Sequence, residues 1–375
     1  MSNPSHGGVD SPKNAGAYSL AEILSQPECW TTCLEELRRS KKLEEVRERF
    51  AGVNQWLFVG CGSSYYVALS AAATMTMLTG QRTRAVPASE LLLYPELVLS
   101  SFKNYLPVLI SRSGRTSEVL RAAELLKSRG VPTLAITCAT DEALGQLATA
   151  TIVLPAADEK STVMTRSFSS MLLTLQGLAA TIAGDSEFAE SLHKLSAKVS
   201  ALRAVPETVR KFVDGHRFAD YVYLAQGPFF GLACEGALKV TEMSVSYAQA
   251  FHTLEFRHGP KSIVSPETLL VFLLSESGYE DEIEVLEEMK SLGGTTLAVT
   301  NRADARALAA ADLLVELHLD GPELARLAAY LLAPQLLGLF TGLKKGLDPD
   351  SPRNLSRVVV LGDENPGKRP EHAAF

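Results

Sequence analysis

The chain has 375 residues, 46% of them hydrophobic, with a formal net charge of −7. That length suits two domains with extensions, and the apolar share is enough for two buried cores. The negative charge argues against nucleic acid as the main partner, and the absence of any run of about 18 apolar residues argues against a membrane span.

Residues 1–18 are polar and rich in Gly, Ser and Pro, which predicts a disordered tail and no signal peptide. Leu20 to Phe50 predict one or two amphipathic helices. Residues 1–50 thus read as a tail plus N-terminal helices. Residues 51–200 read as a first sheet domain, and a connecting helix from Ser186 to about Val213, interrupted near Pro206, leads into the next. Residues 201–375 read as a second sheet domain with a C-terminal tail that folds back over the site and a loose end from Glu364.

An apolar strand, Leu106 to Ile110, runs into Ser111, Ser113, Gly114, Thr116 and Ser117, and an amphipathic helix follows. Hydroxyls and free N–H groups at a helix N-terminus suit an anion. The loop has no Walker-type lysine, so a phosphate on a small molecule is expected there, not a nucleoside triphosphate. The chain also repeats itself. Leu109-Ile-Ser-Arg-Ser-Gly114 is echoed by Leu273-Leu-Ser-Glu-Ser-Gly278, and Leu57-Phe-Val-Gly-Cys-Gly62 by Val222-Tyr-Leu-Ala-Gln-Gly227. Thr133 to Thr137 is echoed by Thr296 to Thr300. Each half alternates strands and helices, which predicts an α/β protein with two doubly wound parallel sheets in tandem. Acidic residues follow the second loop, so the phosphate belongs to the first.

Glu235, Lys239 and Glu242 are spaced to share one helical face, on a helix expected to run toward Tyr247 and Ala250. A lysine between two carboxylates can hold one ionised while the other serves as a base. His258 stands before Gly259-Pro260, at an expected chain reversal. Gly321-Pro322-Glu323 is expected to start a buried helix over Leu327 to Leu339, kinked at Pro334. The five cysteines contain no C-x-x-C pair, so no metal site is expected. Reduced thiols in a cytoplasmic protein are expected instead. A dinucleotide-binding reading fails because Tyr65 stands where the third glycine of G-x-G-x-x-G belongs. A sensor of a small phosphorylated molecule that does no chemistry remains the rival from another class.

Taken in order, Gly60-Cys-Gly-Ser-Ser64, Ser111-Arg-Ser-Gly-Arg-Thr116, Glu235-Gly-Ala-Leu-Lys-Val-Thr-Glu242, Phe256-Arg-His-Gly-Pro-Lys-Ser262 and Lys345-Gly-Leu-Asp-Pro-Asp-Ser-Pro-Arg-Asn-Leu355 resemble the tandem sugar isomerase (SIS) domain family, whose fold is flavodoxin-like. The likeness covers about residues 20–360. It extends to the isomerase half of glucosamine-6-phosphate synthase and to AgaS-type aminosugar-6-phosphate deaminase/isomerases. It implies that Ser111, Arg112, Ser113 and Thr116 hold a hexose- or hexosamine-6-phosphate, and that Cys61, Gly62, Ser63 and Ser64 form a second wall. Glu159 and Thr162 to Thr165 would face the sugar hydroxyls. Glu242 would move the proton between C1 and C2, supported by Glu235 and Lys239. His258 would assist ring opening from the neighbouring subunit, which implies a homodimer with a shared site. No cofactor or metal is implied.

Two departures stand out. Arg357 occupies the place of a synthase lysine that can form a Schiff base, and a guanidinium is a poor amine nucleophile. About 50 residues precede the first sheet, too few for a glutaminase domain. The resulting expectation is a deaminase/ketose–aldose isomerase acting on a hexosamine-6-phosphate. The alternatives are plain aldose–ketose isomerisation and the sensor.

Overall fold

The computed structural model describes residues 14–100, 103–199 and 203–361. The expected loose end, and residues 1–13 of the expected tail, lie outside them. Three N-terminal helices come first: α1 (Ala17–Leu24), α2 (Gln26–Ser40) and α3 (Lys42–Arg49). The helical part therefore starts before Leu20. Asp348 and Asp350 take the backbone N–H groups of Gly16, Tyr18 and Ser19, so the start of α1 is fixed by carboxylates from the far end of the chain.

The first half then runs β1 (Gln55–Gly60), α4 (Ser63–Thr79), β2 (Arg82–Pro87), α5 (Ala88–Leu93), α6 (Pro95–Leu99) and β3 (Tyr105–Ile110). It continues with α7 (Ser117–Ser128), β4 (Leu134–Thr137), α8 (Ala143–Leu147), β5 (Ala150–Val153), α9 (Arg166–Ala183) and α10 (Ser186–Val199). The second half follows with α11 (Val205–Gly215), which has Pro206 in its first turn, β6 (Asp220–Ala225), α12 (Phe230–Ser244), β7 (Ala248–His252) and β8 (Thr268–Leu273). It ends with α13 (Tyr279–Ser291), β9 (Thr295–Thr300), α14 (Ala305–Ala310), β10 (Leu313–Glu316) and α15 (Leu332–Lys344).

Both sheets are parallel and five-stranded, with the orders β2-β1-β3-β4-β5 and β10-β9-β8-β6-β7. The two halves have the same doubly wound topology. Side chains alternate between layers, as a strand period of two requires. Trp56, Phe58, Tyr221 and Tyr223 face a core shared by both halves. Leu57 and Val59 pack on the outer face of the first half, and Val222 and Leu224 on that of the second. Helices α4, α9, α12 and α15 contribute to the shared core, and α4 packs on α12 across the halves.

Three local expectations change. α12 stops at Ser244, where Val245 turns left-handed (φ 50°), and Ala248–His252 is the edge strand β7, so the helix does not reach Tyr247 or Ala250. The segment after Pro322 winds as a 3-10 helix over Glu323–Leu331 and changes to α winding at Leu332, just before Pro334. By length and composition Glu323–Lys344 could cross a membrane, but 94% of its most apolar stretch is buried inside the fold. The repeated Ser-x-Ser-Gly strings are also out of register. Ile110 pairs with Ile136 and Leu273 with Val299, so Leu274, not Ser275, stands where Ser111 does.

Candidate active site

α12 brings the Glu235-Lys239-Glu242 face against the N-terminus of α4. Small residues make the approach possible. A Cβ on Gly231 would lie 2.5 Å from the Tyr66 carbonyl oxygen, and one on Gly338 of α15 would lie 2.9 Å from the Lys239 carbonyl. Lys239 is fully buried, with Nζ 2.5 Å from Glu242 Oε2, 3.2 Å from Glu235 Oε1 and 3.3 Å from Ser63 Oγ. The ammonium thus ties the second half to the first. The Glu235 contact is an ion pair without hydrogen-bond alignment, and both Glu235 oxygens lack a hydrogen-bond partner. Burial pushes the Glu235 carboxyl up to about 7, while the Lys239 charge pulls it down and Glu242 adds to the rise. Burial alone would lower Lys239, but Glu235 and Glu242 together outweigh it and raise the ammonium above its ordinary value. Of the three side chains only Glu242 reaches the surface, with 18% of its side chain exposed. The arrangement holds one carboxylate at the solvent edge, a fixed cation behind it and a second carboxyl poised near neutrality.

The loops after β1 and β3 flank the point where the strand order reverses, the usual ligand crevice of such sheets. The β3 loop is pinned by Gly114 (φ 64°), whose Cβ position lies 2.8 Å from Glu142 Cβ, so no other residue fits. Ser111 Oγ and Thr116 Oγ1 stand 3.0 Å apart, and Ser113 Oγ accepts from the Arg115 N–H. In the β1 loop Ser63 and Ser64 open α4, with Ser64 Oγ 4.0 Å from Met164 Sδ. Cys61 is half-buried, and its thiol is pushed up to about 11 by burial, with Glu118 adding, so it is protonated at neutral pH.

Arg112 and Glu159 form a buried frame behind this loop. Arg112 donates to Glu159 Oε2 (3.3 Å) and to the carbonyls of Val163, Thr162 and Arg357. Glu159 also accepts from the N–H and hydroxyl of Thr165 and of Ser167, which caps the start of α9. The Glu159 side chain has no exposed surface. The C-terminal segment lies across the same loop. The Val359 carbonyl accepts the Ser117 N–H, Ser117 Oγ accepts the Leu361 N–H, and Asp350 O accepts the Thr162 N–H. Arg357 pairs with Asp158.

The structure therefore links Ser63, Lys239, Glu235 and Glu242 in one cluster, and Arg112, Glu159, Thr162, Thr165 and Arg357 in a second. His258 joins neither. It is exposed, between the 3-10 turns Glu255–Arg257 and Pro260–Ile263. Two residues escaped the sequence reading. Tyr66, on α4 three residues after Ser63, has its hydroxyl raised by burial first and then by Cys234, Glu235 and Glu242. Glu118 has a buried Oε2 with no partner. The i+3 spacing of Tyr66 from Ser63 was the available signal for the first. Nothing in the sequence marks the second.

The SIS domain model matches residues 50–181 and 221–333. The chain belongs to the SIS domain family. It is 29% identical over 360 residues to a glutamine–fructose-6-phosphate aminotransferase (isomerizing) of Helicobacter pylori, covering 92% of this chain and 59% of that one. The chain thus spans about three-fifths of the length of such relatives. Among solved structures, a glucosamine-6-phosphate deaminase of Thermotoga maritima superposes with a TM-score of 0.74 at 31% identity, covering 92% of this SIS chain and 100% of that one. A proposed tagatose-6-phosphate ketose/aldose isomerase of Clostridium novyi superposes with a TM-score of 0.82 at 27% identity, covering 94% and 96%.

Proposed function

We propose that this SIS protein converts a hexosamine-6-phosphate and water to a ketose-6-phosphate and ammonia, by proton transfer between C2 and C1. The observation that carries this reading is the buried Glu235–Lys239–Glu242 cluster, with Glu242 alone at the solvent edge and Lys239 reaching Ser63 of the other half. The Ser111–Thr116 loop would hold the phosphate, and Gly62, Ser63, Ser64, Thr162 and Thr165 would line the sugar. Arg112, Glu159 and Arg357 would shape the loop from behind. Binding energy at the phosphate then orients the reacting carbons. Glu242 takes the C2 proton, exchanges it with solvent at its exposed edge and delivers a proton to C1, and water releases ammonia from the ketimine. His258 from a second copy would complete the site and assist ring opening. Five free cysteines support a reducing, cytoplasmic setting.

Likeness to the Thermotoga deaminase favours the amino sugar, and likeness to the Clostridium protein favours the second reading, plain ketose–aldose isomerisation by the same proton shuttle. Incubation with glucosamine-6-phosphate in heavy water separates them. Deamination gives ammonia and a deuterium label at C1. Label without ammonia from any hexosamine-6-phosphate leaves only the isomerase. Binding without either, for hexose-6-phosphates as well as hexosamine-6-phosphates, points to the sensor.

A further inference from the structure

Each sheet has one point where its strand order reverses, between β1 and β3 in the first half and between β6 and β8 in the second. Ligands of doubly wound sheets bind outside the carboxyl ends of the strands at that point. The first crevice is the site described above. At the second, a cavity of about 330 Å³ opens between Gln226-Gly227 after β6 and Ser275, Ser277 and Gly278 after β8. Glu282 and Glu323 line it too.

Glu323 comes to this loop from far along the chain, as the first residue of the 3-10 helix before α15. Its carboxylate accepts the backbone N–H groups of Glu276 and Ser277 and the Ser277 hydroxyl, the last at 2.6 Å. Consecutive N–H groups and a hydroxyl converging on two oxygens are the donors an oxyanion requires. Next to them, Glu282 is wholly buried, and its Oε1 has no partner. Arg326 Nε and Tyr330 Oη, on the helix that carries Glu323, are also buried and unpartnered. Of these only Glu282 lines the crevice, and its unpartnered oxygen marks a polar position there that the fold leaves unfilled.

We infer that the second half keeps an oxyanion-binding crevice, and that the chain's own Glu323 carboxylate fills it. A phosphate can then enter only the first crevice, so each chain binds one sugar phosphate. That count of one rests on the proposed function, whereas the filling by Glu323 does not.

Calorimetric titration of the full chain with inorganic phosphate tests this. Glu323→Ala should add one phosphate per chain to the wild-type count, and the added site should disappear in the double variant with Ser277→Ala. Should the wild type bind no phosphate, the proposed function is in trouble, and one phosphate on Glu323→Ala still supports the filled crevice. If Glu323→Ala is unstable, Glu323→Ser retains a hydroxyl for the loop and takes its place. A folded Glu323 variant with the wild-type count, shown intact by circular dichroism and melting, overturns the inference.

Discussion

At the scale of single residues two carboxyls share one lysine. Glu242 has both contact with Lys239 and access to solvent, so Glu242→Gln should keep sugar-phosphate binding within a few-fold. It should lose proton exchange by roughly 100- to 10,000-fold, the usual weight of a general base. Deuterium incorporation followed by NMR, with binding by calorimetry, measures both; retained exchange would remove Glu242 from the mechanism. Glu235 answers to pH. Its carboxyl moves from an ordinary 4.5 to about 7 in the fold. Between those values the folded chain holds a proton that the unfolded chain has lost, so this contribution to stability is full below about 4.5 and fades as pH rises to about 7. Glu235→Gln abolishes that titration. Its melting temperature relative to the wild type should therefore climb from about pH 5 to about pH 8, whereas the similar rise at Glu282 is common to both proteins and cancels. A difference that stays constant with pH would show that Glu235 does not titrate in this range.

At the scale of elements, the Ser111–Thr116 loop depends on packing behind it. Glu159 ties Arg112 to the first turn of α9, and removing one member of a buried pair costs on the order of 3–5 kcal/mol. Glu159→Ala should lose about that much in urea denaturation, with faster amide exchange at Thr165 and Ser167; Glu159→Gln should lose less. α15 sets the position of α12 through Gly338. Gly338→Ala would place a methyl against the Lys239 backbone, so it should lower kcat on the order of 10- to 100-fold by displacing the cluster. Gly52→Ala, in open space, should change nothing, and equal kcat values in the two variants would refute the coupling. The strands were legible because stretches such as Trp56 to Val59 are unbroken apolar runs, as strands covered on both faces require, and the α12 face because its charges recur every turn. The end of α12 was not, because Val245 adopts a left-handed turn that β-branched residues rarely take. The Arg112–Glu159 frame was also hidden. Arg112 read as a phosphate contact and Glu159 as a sugar contact, and only the folded chain shows their polar atoms engaged with each other, with α9 and with the C-terminal segment.

At the scale of the whole molecule, the halves share one core and meet at Lys239 and Ser63, yet one chain leaves its expected ring-opening group out of the site. His258 is exposed, just after the edge strand β7, and touches neither cluster. If a second copy supplies it, each site combines Glu242 from one chain with His258 from the other, and two inactive proteins can repair one another. In a dimer of Glu242→Gln with His258→Ala, one site carries both lesions and the other carries neither. Random mixing makes half the dimers mixed, so co-expression should restore about a quarter of wild-type turnover, while separately purified variants show almost none. Ammonia release from glucosamine-6-phosphate measures the recovery. The prediction has a clear opposite. If His258 acted within its own chain, each protomer of the mixed dimer would carry one lesion, and no mixture would recover activity. A monomer in analytical ultracentrifugation would exclude the shared site before any variant is made.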